Sequence, residues 1–161
     1  MRLIDEFTIS TAPDRAYAML LDLALVAPCV PGAEIDAPDQ DGVYPGRVSV
    51  KLGPMKFVYA GRVRIAERDA TARTASIEGE GLASRGGESA KVRSVMQVIA
   101  EGEGSRVRIT TDLELKGRAA QMGQGVIAAV SRPLVSRAAA CIEARLALGD
   151  GPSGGVDDGP S

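Results

Sequence analysis

An α+β fold, with a curved antiparallel sheet wrapped around one long C-terminal helix, is predicted by three features of the chain. A short strand pattern is followed at once by a helical one, alternating segments then recur from 47 to 115, and a helical stretch runs from Arg118 to Leu148. A sheet with a single terminal helix to cover its inner face curls around that helix, and the space between them can hold a small apolar guest.

The first strand places Leu3, Phe7 and Ile9 on odd positions, and Thr11-Ala12-Pro13-Asp14 opens a helix with proline in its first turn. That helix presents Ala16, Met19, Leu20 and Leu23 at helical spacing. A second short helical segment, Ala24 to Val30, ends at Pro31-Gly32, because proline disfavours helix in the residue before it.

Five strands are expected next. Val48, Val50 and Leu52 alternate with Arg47, Ser49 and Lys51, as in a sheet wet on one side, and Gly53-Pro54 makes the turn. Phe57, Tyr59, Gly61, Val63 and Ile65 form the next inward row, in which Gly61 leaves a gap that permits curvature. Ala75, Ile77, Gly79 and Gly81 follow, with Glu78 and Glu80 outward, and Ser84-Arg85-Gly86-Gly87 reads as a loop. Val92, Met96 and Val98 mark another strand, and Val107 to Leu115 alternates most cleanly of all after the turn Glu101-Gly102-Glu103-Gly104. Short turns between such strands predict an antiparallel meander.

The terminal helix sets Val126, Val130, Leu134, Ala138 and Cys141 on one stripe opposite Gln121, Arg132, Ser136 and Glu143, and Pro133 is expected to kink it. At about 1.5 Å per residue it would span roughly 45 Å. These elements make one domain over residues 1–148, and the Gly/Pro/Asp/Ser-rich residues 149–161 read as a flexible polar tail.

Composition removes several function classes. A balance of 19 basic and 21 acidic residues, with pI near 5.3, gives no attraction to nucleic acid. Neither a signal-peptide pattern nor an eighteen-residue apolar run is present, which predicts a cytoplasmic protein without a transmembrane segment. The absence of histidine removes the usual general base, the commonest metal ligand and every Ser-His or Cys-His pair. Cys29 and Cys141 fit neither a disulfide framework nor a CxxC motif and are expected to be buried free thiols. Glu78 and Glu80 share a face but read as solvated charges, and the glycines at 79, 81, 86 and 87 lack the context of a phosphate loop.

This order of elements resembles the SRPBCC or START-like superfamily, whose helix-grip fold wraps an antiparallel sheet around a C-terminal helix. Within it, the chain is most similar to the carbon monoxide dehydrogenase G-subunit family. The resemblance covers residues 1 to about 147. It rests on Glu6-Phe7-Thr8 with Ala12-Pro13, on Cys29-Val30-Pro31-Gly32, on Val50-Lys51-Leu52-Gly53-Pro54 with Gly61, and above all on Gly117-Arg118-Ala119-Ala120-Gln121-Met122-Gly123. It implies a non-enzymatic accessory protein found alongside molybdenum-containing carbon monoxide dehydrogenases and related hydroxylases. Such a protein holds no metal or cofactor of its own, recruits the enzyme to the membrane or links it to the quinone pool, and carries a lipid-like or quinone-like guest. Peripheral contact with the inner face of the membrane belongs to the same expectation.

The expected pocket is lined by Phe57, Tyr59, Met96, Met122 and Ile127, with Cys29, Pro31 and Gly32 near one entrance. Aromatic and methionine walls adapt to flat or flexible apolar guests, and a buried Tyr59 hydroxyl could orient a quinone carbonyl. Two rival readings are a small enzyme of the polyketide cyclase or aromatase type, which needs charged groups projecting inward, and a ligand-free protein-binding adaptor with an exposed apolar patch. The polar inward positions read from the alternation are Ser94 and Thr111, which lack an evident base.

Overall fold

The computed structural model describes residues 1–83 and 87–148; the loop expected at 84–87 lies outside these except for Gly87, and the expected tail lies wholly outside them. The strands are β1 (Arg2–Ile9), β2 (Ala33–Ile35), β3 (Tyr44–Leu52), β4 (Met55–Asp69), β5 (Thr74–Ala83), β6 (Ser89–Glu101) and β7 (Gly104–Lys116). They form one antiparallel sheet in the order β1-β7-β6-β5-β4-β3-β2. The meander from β2 to β7 is the one that short turns impose, and β1 closes beside β7 from Arg2↔Asp112 to Ile9↔Ser105. β2 adds a strand that the alternation does not reveal, since three residues are too short to display a period.

Between β1 and β2 lie α1 (Pro13–Leu20), α2 (Leu23–Val26) and a 3-10 turn at Ala27–Cys29. Pro13 occupies the start of α1, where its missing N–H costs nothing, and Asp22 caps α2 by accepting from the Leu25 N–H at 3.2 Å. The expected stripe of Ala16, Met19, Leu20 and Leu23 is buried.

The terminal helix differs from its expectation in two respects. Gly117 and Gly123, at φ 95° and 84°, bracket a separate 3-10 segment, Arg118–Met122, so that α3 begins only at Gln124 and ends at Ala147. Pro133 lies inside that one continuous helix. The buried residues of α3 are Ile127, Ala139 and Ile142, whereas Val126 is 42% exposed, so the inward stripe is rotated from the one predicted.

α3 runs alongside β1. Gln124 Nε2 donates to the Arg2 carbonyl at 2.9 Å, and at the other end the Ser10 N–H and Oγ donate to the Glu143 carboxylate at 3.0 and 2.7 Å. An eight-residue strand rises about 26 Å and nineteen helical residues about 29 Å, so the two lengths match. By length and composition α3 is also apolar enough to cross a bilayer, with mean hydropathy 1.4 and 17% of that stretch buried.

One expectation is overturned. Cys29 and Cys141 are joined in a disulfide that ties the 3-10 turn after α2 to the C-terminal half of α3. The sequence hides the pairing because 112 residues separate the two cysteines; the fold brings them together by laying α3 back across the 3-10 turn that follows α2. Arg145 adds a hydrogen bond to the Leu25 carbonyl at 2.8 Å in the same region.

The outer face of the sheet carries crossed charges. Glu78 receives Arg64 at 2.8 Å and Arg93 at 3.6 Å, Glu80 receives Arg62 at 3.6 Å, and Arg2 meets Asp112 at 2.8 Å. Glu78 and Glu80 are thus outward ion-pair partners, as the alternation predicts.

Candidate functional site between two cores

The apolar interior is divided. One cluster joins Ile9 and α1 to Cys29, Met96, Val107 and Ile142; a second joins Leu3, Leu52, Phe57, Tyr59, Ala119 and Ile127, with Met122 packed against it. Four of the five residues expected to line a pocket therefore share the second cluster, whereas Met96 belongs to the first. Of the expected entrance, Cys29 is buried in the first cluster as half of the disulfide. Gly32 abuts β3: its carbonyl accepts from Ser49 N–H at 2.9 Å, and a Cβ there would lie 2.4 Å from the Ser49 oxygen.

Between the clusters, the same sheet face carries Val63 and Ile65 on β4, Ile77 on β5 and Val92 on β6. These residues continue the rows of Tyr59, Ala75 and Met96, yet they are only half-buried and belong to neither cluster. Central strands of a curled sheet should bury such side chains, but α3 packs chiefly on β1, β3 and the 3-10 turn at Ala27–Cys29. An apolar floor is thereby left between two packed ends. Ser94 and Thr111 lie on the same floor and bond each other at 2.8 Å.

A groove of about 770 Å³ crosses the sheet along Val63, Gly79, Val92 and Leu113, with Met1 and Val43 at its margins. Arg62, Arg64, Glu78, Glu80, Lys91, Arg93, Asp112 and Glu114 also border it, and eight charged residues suit water better than hydrocarbon. None of the five expected pocket residues lines it.

The second cluster holds a polar centre that the alternation did not reveal. Glu88, 2% exposed, projects inward just before β6, and its Oε2 accepts from Arg118 Nε at 2.6 Å. The Arg118 guanidinium lies 5.6 Å from the centre of the Phe57 ring, a cation–π contact, and the Phe57 and Tyr59 rings stack at 6.2 Å. A Cβ on Gly117 would come within 2.3 Å of Glu88 Cγ, so the glycine before Arg118 makes room for the carboxylate.

Two atoms of this centre, Tyr59 Oη and Glu88 Oε1, are buried without a hydrogen-bond partner among the described residues. Burial, and secondarily the Glu88 charge, push the Tyr59 phenol above its ordinary value. It is therefore held protonated, as a donor. Glu88 follows the loop expected at 84–87, and the sequence reading assigns it no role. The available signal was parity, because Glu88 continues the even-numbered inward row of Val92 and Met96.

Among the described residues, no group of three or more His, Cys, Asp or Glu side chains is placed to hold a metal ion.

A curled antiparallel sheet, two short helices after the first strand and a long C-terminal helix define a helix-grip protein of the START-like class. The chain belongs to the CoxG family, that of the carbon monoxide dehydrogenase G-subunit, which it matches over residues 6–147. No curated protein matches it significantly. Among solved structures it is similar to a conserved protein from Geobacillus kaustophilus, with a TM-score of 0.78 and 15% identity over 92% of this chain and 96% of that one. It is also similar to the Zhui aromatase/cyclase from Streptomyces sp. R1128, with a TM-score of 0.58 and 15% identity over 97% and 99% of the two chains. A START superfamily protein from Mycobacterium smegmatis gives a TM-score of 0.57 and 13% identity over 92% and 99%. At these identities the likenesses establish the fold.

Proposed function

We propose that the protein is a non-catalytic carrier that holds a hydrophobic, lipid-like or quinone-like molecule between its sheet and α3. In this role it serves a molybdenum-containing carbon monoxide dehydrogenase-type enzyme at the membrane. The observation that carries the reading is the apolar floor of Val63, Ile65, Ile77 and Val92, left half-buried between two packed clusters, on the face opposite the charged residues that alternate with it and border the groove. Membership of the CoxG family supports the partner class, and the length and apolar composition of α3 support contact with a bilayer.

Native mass spectrometry of the purified protein, with and without a menaquinone or ubiquinone analogue, followed by organic extraction, tests the carrier reading. A stoichiometric apolar adduct is expected; a protein that is empty and ignores both analogues overturns it. Buried Glu88 favours a second reading, a cyclase-like enzyme, because it supplies the inward charge such chemistry needs. Turnover of a polyketide-type substrate that is lost in Glu88→Gln would establish that reading instead.

A further inference from the structure

The two oxygens of the second cluster that have no partner among the described residues select the head group of the guest. We infer that Tyr59 and Glu88 form a binding site for a hydroxyl-bearing aromatic head, in which the ligand hydroxyl donates to Glu88 Oε1 and accepts from the Tyr59 O–H. The inference rests on the carrier reading above and deepens it, since it distinguishes a reduced, hydroxylated ring from its oxidised carbonyl form.

The chemistry follows from what each atom lacks. Glu88 Oε1 is an acceptor and needs a donor; its other oxygen already has Arg118. Tyr59 Oη, held protonated, needs an acceptor. A carbonyl oxygen would serve Tyr59 and leave the carboxylate oxygen unpaired, at the full cost of a buried unsatisfied group. A hydroxyl serves both at once, and a charged head would disturb the Arg118–Glu88 balance. The surroundings are aromatic and apolar: Phe57 and Tyr59 stack beside the two oxygens, and small Ala83, the β5 partner of Tyr59, packs against the same cluster.

Arg118 spans the site from outside, with its side chain 59% exposed, while its guanidinium rests on Phe57 and bonds Glu88. It belongs to the 3-10 segment bracketed by Gly117 and Gly123, both in the left-handed region, where glycine alone rotates without strain. The segment that most distinguishes this sequence thus covers the polar centre.

The full chain is titrated with two probes that differ only in the donor, 1-naphthol and 1-methoxynaphthalene, by calorimetry or fluorescence. The wild type is expected to bind 1-naphthol about tenfold more tightly, the ratio that one charge-assisted hydrogen bond supplies. Glu88→Gln preserves shape and should shrink that ratio severalfold. Tyr59→Phe should weaken both probes alike and keep the ratio, while the midpoint of urea unfolding stays unchanged or rises, because an unpaired hydroxyl has been removed. Equal affinities in the wild type, a ratio untouched by Glu88→Gln, or a clear loss of stability in Tyr59→Phe would each overturn the head-group assignment and leave an apolar carrier standing. Failure of both probes to bind would remove the carrier reading along with it.

Discussion

Tyr59 shows at the scale of one residue how burial sets chemistry. Its alternation with Lys56 and Arg62 reads as inward, and it is inward, 7% exposed. Its neighbour Glu88 was not legible, since a charge beside a glycine-rich loop has a ready solvent explanation and only the parity of the next strand speaks against it. Because burial and the Glu88 charge raise the folded pKa of Tyr59, the neutral phenol stabilises the fold below the unfolded value, about pH 10. That contribution is lost as pH rises through the folded pKa. Glu88→Gln should bring the phenol partway back toward its ordinary range, leaving the burial effect, as read by NMR of ring-labelled tyrosine assigned with Tyr59→Phe. A Tyr59 pKa indifferent to Glu88→Gln would show that the two side chains do not sense each other.

Among the elements, long strands were legible and breaks in helices were not. β4 and β7 each display the period of two over many residues, so chance alternation is a poor competitor. The helical stretch from 118 to 148 looked unbroken because a single glycine inside a helical pattern is tolerated at modest cost, and only the positive φ of Gly123 shows that it separates two segments. Gly61 was legible as a point of curvature, and its geometry gives the reason: a Cβ there would lie 1.8 Å from the Glu80 carbonyl oxygen and 2.6 Å from Gly81 Cα. Both contacts are to backbone, so no rotamer change relieves them. Gly61→Ala should therefore cost about 3 kcal/mol, at the upper end for overpacking, in urea unfolding monitored by circular dichroism. Gly42→Ala is a useful control, because a Cβ there meets nothing within 4 Å and the only penalty is that of its φ of 78°.

For the whole molecule, the curled sheet gripping a terminal helix followed from element order alone, whereas the division of the interior into two clusters did not. Periodicity reports which face a side chain takes and is silent on whether anything arrives to cover it. The disulfide was illegible for a related reason, since only the completed fold juxtaposes residues 112 apart in sequence. Closing so long a loop restricts the unfolded ensemble strongly, and the double variant Cys29→Ser/Cys141→Ser should lose about 2–5 kcal/mol. Urea midpoints with and without reductant check this: the wild type should approach the variant when reduced, and the variant should ignore reductant.

The same bridge closes residues 29–141 into a covalent ring. Six of the seven strands, β2 to β7, lie between Cys29 and Cys141 and thus inside the ring, while β1 and α1 lie outside it. A force applied to the two ends pulls β1 off β7 and unwinds the last turns of α3, and then stops. On the order of 370 Å of extended chain, at about 3.3 Å per residue, stays shielded behind a single sulfur–sulfur bond until a reductant cuts it.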